Sequence, residues 1–271
     1  MHGIGNDFVM IDAIESPPPA TPLDQLAQQM CDRRFGVGAD GIILAERSDA
    51  GRFRMRMLNP DGSESEMCGN GIRCMAKFLI ARGHDPGPTI AIDTIAGLLV
   101  TTVLDDGRVA VDMGVPSFAL GDIGAVGDPS EDFIEAEIAA DGQTFTATAV
   151  SMGNPHLVVF VESFDGLDVA ASGSALERHE MFPNRINVHF VQRVSSSHLV
   201  QRTWERGAGE THACGTGACA SAAVAHRTGR ADRRMTVDLP GGTLEIDNSP
   251  NGHMMMTGPA TTVFDGVWES D

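Results

Sequence analysis

"MCGNGIRC" at 67–74 and "ACGTGACA" at 213–220 carry the same small element, Cys-Gly-x-Gly. Each stands where a loop gives way to a helical pattern. The first leads into "GNGIRCMAKFLIARG" (69–83), ended by Gly83 and the breaker "DPGP". The second leads into "GACASAAVAHRTGR" (217–230). Around both, the predicted elements run in the same order. Strands are expected at 7–14, 41–46 and 52–59, with a helix at 23–34 and a proline-rich loop, "SPPPATP", at 16–22. Consecutive prolines fix the backbone and lack amide donors, which makes that stretch a loop. After the first Cys-led helix come strands at 89–95, 97–104 and 107–113, the last two joined by the hairpin signal "DDG". The second half repeats the order. Strands are expected at 133–139, 143–150 and 156–162, a helix within 166–179, then strands at 185–193 and 198–206. The second Cys-led helix precedes strands at 234–239, 243–248 and 253–257. A last strand is expected over "ATTVFDGVW" (260–268), with a return to the first domain as one option. The sequence therefore predicts a duplicated α/β (α+β) architecture. Its domains are 1–113, with 259–271 as a candidate completion, and 114–258, the break falling near "MGVPS".

Bulk composition narrows the function. The 271 residues are 42% hydrophobic and 21% charged, the range of an ordinary globular protein. A formal charge of −18 disfavours nucleic acid and anionic membrane surfaces as partners, since both require cationic surface. Apolar runs such as "HLVVFV" (156–161) are far shorter than the roughly 20 residues of a membrane span. No signal-peptide pattern opens the chain. The 5 cysteines show no disulfide framework, so reduced thiols in the cytoplasm are expected.

Three motifs compete for the chemistry. "GVGADG" (36–41) matches a dinucleotide fingerprint as a string, but a helix precedes it and a strand follows, the reverse of the required context. It is taken as a glycine-rich connection. A zinc site fails on spacing, and Cys31, Cys74 and Cys219 read as small core residues. Cys68 and Cys214 remain. Each precedes a helix whose first amides are unpaired, and the dipole there favours a thiolate. The adjacent glycines let a carboxylate approach bare backbone. Two such thiols facing one carbon could invert it, one removing a proton while the other delivers one. Pyridoxal phosphate needs a lysine, and the single lysine, Lys77, lies more than two turns inside the first Cys-led helix. No cofactor and no metal are therefore expected. A non-enzymatic metal- or redox-sensing thiol protein stays open as the rival of another class.

The stretches "HGIGNDFVMID", "RRFGVGADGIIL", "NPDGSESEMCGNGIRC", "SMGNPHLVVF", "RINVHFVQ" and "RTWERGAGETHACGTGACA" span nearly the whole chain. In them the sequence resembles the diaminopimelate epimerases. The resemblance implies two similar domains, each a mostly antiparallel, barrel-like sheet around a central helix, with the active site in the cleft between them. It implies inversion of LL-diaminopimelate to meso-diaminopimelate, in lysine and peptidoglycan precursor synthesis, by a homodimer. Carried over by motif, Cys68 and Cys214 are the acid/base pair. Gly69, Asn70, Gly215 and Thr216 hold the reacting carboxylate. Asn59, Asn154, Asn187 and Arg206 hold the distal end, Glu205 takes its ammonium, and Asn6 lies in the same pocket. His156 and Glu205 tune the thiols. A proline or hydroxyproline racemase-like enzyme is the nearest alternative, separated by the distal-end residues, because proline has no second zwitterionic end. Two departures stand out. Gly41 replaces a substrate-contacting glutamine found in many members, and Phe264 replaces a dimer-interface tyrosine.

Overall fold

The computed structural model describes residues 1–15, 21–49 and 52–269. The loop expected at 16–22 falls mostly outside these. The chain divides into two compact units, Met1–Val111 with Gly258–Asp271, and Asp112–Thr257.

The first unit contains β1 (His2–Gly3), β2 (Asn6–Asp12), α1 (Leu23–Cys31), β3 (Gly41–Arg47) and β4 (Phe53–Leu58). It continues with β5 (Glu64–Ser65), α2 (Gly69–Ala81), β6 (Thr89–Thr94), β7 (Gly97–Val103) and β8 (Val109–Asp112). The second opens with a short α3 (Leu120–Ile123), then β9 (Ala136–Ala140), β10 (Gln143–Ser151), β11 (Pro155–Val161), α4 (Val169–Glu177) and β12 (Asn187–Ser195). After β13 (His198–Glu205) and β14 (Gly209–Thr211) come α5 (Gly215–Arg227), β15 (Arg234–Leu239), β16 (Gly242–Asn248) and β17 (Met254–Gly258).

Pairing is mostly antiparallel and repeats between units. β2 and β3 are parallel across α1, as β11 and β12 are across α4. β4 and β6 are parallel across α2, as β13 and β15 are across α5. Parallel neighbours need a crossover, and the helices supply it. Each Cys-led helix is the buried centre of its unit. In α2, residues 69–76, Phe78 and Leu79 are buried; in α5, residues 215–225 are. A helix buried on all sides must be apolar or small on all sides. α2 meets this with Ile72, Met75 and Leu79, and α5 with Ala218, Ala220, Ala222, Ala223 and Ala225. Around α5's sheet, Leu157, Val159, Leu176, Val188 and Phe190 form a continuous core. Each such side chain contributes about 1.5–3 kcal/mol by leaving water.

Most elements lie within about three residues of expectation, and three departures bear on the site or the fold. α1 stops at Cys31 rather than at 34, because the Asp32 carboxylate takes the amides of Arg34 and Phe35 at 2.7 and 2.8 Å and closes a turn. α5 begins at Gly215 rather than 217, with Cys214 at its N-cap. The strand expected over 260–268 does not form. Thr261 makes an isolated bridge to His2, and Phe264 and Val267 are exposed. The glycine-rich stretch 36–41 is the α1–β3 connection, with Gly38 at φ +80°. A Cβ on Gly36 would lie 2.1 Å from the Gln29 carbonyl oxygen, so the glycine there serves close backbone approach.

Candidate active site

In the first unit Cys68 is the N-cap of α2, in extended conformation, and its sulfur accepts the Gly71 amide at 3.4 Å. This is an ordinary capping contact with sulfur in place of oxygen. The thiol in turn lies 3.7 Å from Asn6 Oδ1, which also accepts from Asn70 Nδ2 at 3.1 Å. Asn6 donates its own Nδ2 to Asp40 at 2.8 Å. Asn70 receives Arg73 Nη2 at 2.8 Å, and Arg73 is wholly buried with Nη1 on the Gly69 carbonyl at 2.9 Å. The structure thus joins Asn6, Cys68, Gly69 and Asn70 in one network. Asn59 stands outside it, holding the turn after β4 through Ser63 Oγ at 3.0 Å. A Cβ at Gly41 would sit 2.8 Å from the Leu58 carbonyl oxygen, so β4 leaves no room for a side chain there.

In the second unit Cys214 is the N-cap of α5, and its sulfur lies 3.6 Å from Thr216 Oγ1. His156 Nε2 meets Asn154 Oδ1 at 2.8 Å, and its Nδ1 meets His189 Nε2 at 2.8 Å. His189 Nδ1 faces Thr203 Oγ1 at 3.1 Å and Gln201 Nε2 at 3.2 Å. Burial, then the neighbouring His189, then Arg206 hold His156 well below an ordinary histidine pKa; burial pulls His189 down to about 3. Both rings are therefore neutral, and His156 has both nitrogens engaged. It acts on its surroundings as a fixed dipole rather than a charge. Asn187 donates to the Pro155 carbonyl at 2.9 Å and accepts the Arg206 amide at 3.0 Å. Arg206 Nη1 touches the Asn184 carbonyl at 3.3 Å, and Glu205 accepts the Thr211 hydroxyl. Asn154, His156, Asn187, Glu205 and Arg206 thus cluster at the ends of β11, β12 and β13.

Two further thiols are held protonated by their surroundings. Cys31 is pushed up to about 11 by burial and then by Asp40 and Asp7, and burial pushes Cys74 up to about 12. Neither ionises readily, as expected for core residues. Among the described residues no three His, Cys, Asp or Glu side chains gather as metal ligands would. No helix among them is long and apolar enough to cross a membrane.

A sequence model of the diaminopimelate epimerase family matches residues 1–119 and 148–263. The chain belongs to that family. The diaminopimelate epimerase of Moorella thermoacetica is 48% identical, covering 100% of this chain and 98% of its own. The Synechocystis diaminopimelate epimerase is also 48% identical, covering 99% and 97%. Among solved structures, a hydroxyproline epimerase from Agrobacterium vitis aligns with TM-score 0.67 at 17% identity, over 97% of this chain and 89% of that one. A Bacillus anthracis PhzF-family protein aligns with TM-score 0.66 at 18% identity, over 96% and 92%. At that identity the likeness is one of fold. As a member of the diaminopimelate epimerase family, the chain is an isomerase.

Sequence reasoning left four residues of these networks without a role. His189 sits in an apolar strand and is joined to His156 only through the parallel β11–β12 register. Asp40 and Arg73 lie inside quoted motifs, but their contacts are with residues distant in sequence or buried. Glu177, at the end of α4, is buried and accepts Trp204 Nε1 at 2.8 Å and the Gly207 amide at 3.0 Å, fixing the Glu205–Gly207 turn. A charged residue inside an apolar helical pattern was the available signal for Arg73 and Glu177.

Proposed function

We propose that this protein inverts one α-carbon of LL-diaminopimelate to give the meso form, without a cofactor, using Cys68 and Cys214 as the acid/base pair. One observation carries the reading: a cysteine caps the buried central helix of each unit of a duplicated fold. In the reaction a thiolate takes the α-proton, so the Cα–H bond breaks and an S–H bond forms. The other thiol gives its proton to the opposite face, leaving a thiolate. The reaction requires that both sulfurs reach one carbon when substrate is bound. Helix-terminal amides at Gly69, Asn70, Gly215 and Thr216 would hold the α-carboxylate and stabilise the charge that develops there. Arg206 supplies a planar fork for the distal carboxylate, Glu205 an acceptor for its ammonium, and Asn59, Asn154 and Asn187 complete that end. Asn6 orients the Cys68 side, and His156 acts through Asn154. The distal cluster favours diaminopimelate over proline, as do the relatives at 48% identity. We further place the enzyme in the cytoplasm, in lysine and peptidoglycan precursor synthesis, as a homodimer to which exposed Phe264 contributes packing.

The test is chiral chromatography of LL-diaminopimelate incubated with the purified protein and a chelator, with trans-4-hydroxy-L-proline in parallel. Formation of the meso isomer alone is expected. Inversion of hydroxyproline, or of neither compound, would overturn the assignment.

A further inference from the structure

The α1–β3 connection, which the sequence leaves with no chemistry, ends in Asp40, and Asp40 reaches the Cys68 helix through Asn6. A carboxylate can only accept hydrogen bonds and a guanidinium can only donate. Asp40 therefore takes Nδ2 of Asn6, and Arg73 takes Oδ1 of Asn70, each at 2.8 Å. These two ends force the middle. Asn70 must donate Nδ2 to Asn6 Oδ1, the contact found at 3.1 Å. Turning either amide over would set donor against donor or acceptor against acceptor. Asp40 is itself held by Arg33 at 2.7 Å and by the Asp7 amide at 3.2 Å. The amide orientation, which side-chain shape alone leaves ambiguous, is thus fixed from both sides by charge.

The consequence falls on Cys68, whose sulfur faces Asn6 Oδ1 at 3.7 Å. That oxygen can accept a hydrogen bond from S–H but can only repel a thiolate. The Gly71 amide supports either form, since a thiol sulfur also accepts. We propose that Asp40 and Arg73 are positioning residues that lock the Asn6 amide with its oxygen against Cys68, so that Cys68 rests as the protonated thiol. Resting on the paired-thiol reading above, this makes Cys214, which faces a hydroxyl able to donate at 3.6 Å, the thiolate of the resting pair. The charged groups around Cys68 do not produce this bias on their own. Arg73 on the same helix favours a thiolate, as does the helix end. Asp40 and Asp7 oppose it and share the Arg33 cation at 2.7 and 2.8 Å.

The experiment is the pH dependence of iodoacetamide alkylation at Cys68, read by peptide mass spectrometry without substrate. In the unaltered protein Cys68 should titrate at or above about 8.5, the ordinary thiol value. In Asp40→Ala the acceptor for Asn6 Nδ2 is gone, and the Asn6 amide is held only from the Asn70 side. A turn that presents Nδ2 to Cys68 then opposes one contact rather than two, and it exchanges an acceptor for a donor at the sulfur. The Cys68 pKa should fall by about one unit, a tenfold gain in acidity. Asp7→Asn removes the same charge from the same cluster but touches Arg33, not Asn6, and should shift Cys68 by less than about a third of that. Equal shifts in the two variants would reduce Asp40 to a through-space charge and overturn the proposal. So would a Cys68 already ionised at neutral pH in the unaltered protein, a readout that needs no variant to fold. Alkylation needs no turnover, so a protein with these shifts but no epimerase activity would sink the function and leave the positioning intact.

Discussion

The last position of Cys-Gly-x-Gly is glycine in both copies, but the two glycines face different neighbours, and the same substitution should cost different amounts. A Cβ at Gly217 would lie 2.2 Å from His189 Cε1 and 2.8 Å from each ring nitrogen. The ring must retreat by more than 1 Å to reach the 3.4 Å of ordinary contact. It cannot do so freely, because it is wholly buried and held by His156 at 2.8 Å and Thr203 at 3.1 Å. Overpacking of this kind costs about 1–3 kcal/mol. Breaking the buried imidazole contact adds about 1–3 kcal/mol. Alanine's better helix propensity returns about 1 kcal/mol at most. Gly217→Ala should therefore destabilise the protein by about 2–4 kcal/mol. At Gly71 the new methyl meets Ile43 Cδ1 at 2.8 Å and Cys68 Sγ at 3.6 Å. Ile43 is as buried as His189, but its Cδ1 ends an apolar side chain with no hydrogen bond to break, so only overpacking remains and helix propensity offsets much of it. Gly71→Ala should stay within about 1 kcal/mol of the parent. Urea unfolding followed by far-ultraviolet circular dichroism measures both. Equal losses in the two variants would refute the claim that a pinned His189 ring distinguishes the copies.

Two further outcomes follow from the second unit. The folded state keeps His156 well below 6.5 and His189 near about 3, so the unfolded chain binds more protons in between. Their contribution is fully present above the unfolded value and is lost as pH falls from about 6.5 toward 3; His189→Gln should flatten the stability–pH slope by about 1.4 kcal/mol per unit across that window, and an unchanged slope would show that His189 does not titrate with unfolding. Arg206→Met should cost roughly 2–4 kcal/mol in kcat/KM for LL-diaminopimelate, the penalty for leaving a bound carboxylate unpaired; a change within about threefold would remove Arg206 from the substrate.

The duplication was legible because it rests on local signals. Helix-leading glycines, hairpin turns and alternating strands recur in order, and α2 and α5 form where the repeated motif places them. Periodicity misled at 260–268, since alternation shows that a segment could pair but not that an open strand edge awaits it. The sequence pattern starts α5 at Gly217, yet first-turn amides need no intrahelical partner, so Gly215 and Thr216 enter the helix unopposed. In the site, the cysteines announced themselves by repetition. Their supports did not. His189 meets His156 across a parallel register, and Asp40 meets Asn6 across a separation of 34 positions in sequence. Such contacts exist only after folding.

The central claim is that two thiols act on opposite faces of one carbon, and solvent isotope incorporation tests it most directly. In heavy water, early meso product from LL-diaminopimelate should carry deuterium at the inverted centre while recovered substrate carries little, because the delivering thiol has exchanged with solvent. Cys68→Ala and Cys214→Ala should each abolish epimerisation, and each should exchange at most one stereoisomer, with opposite preference. Near-normal epimerisation in either single variant, or deuterium appearing equally in substrate and product of the unaltered enzyme, would contradict the account.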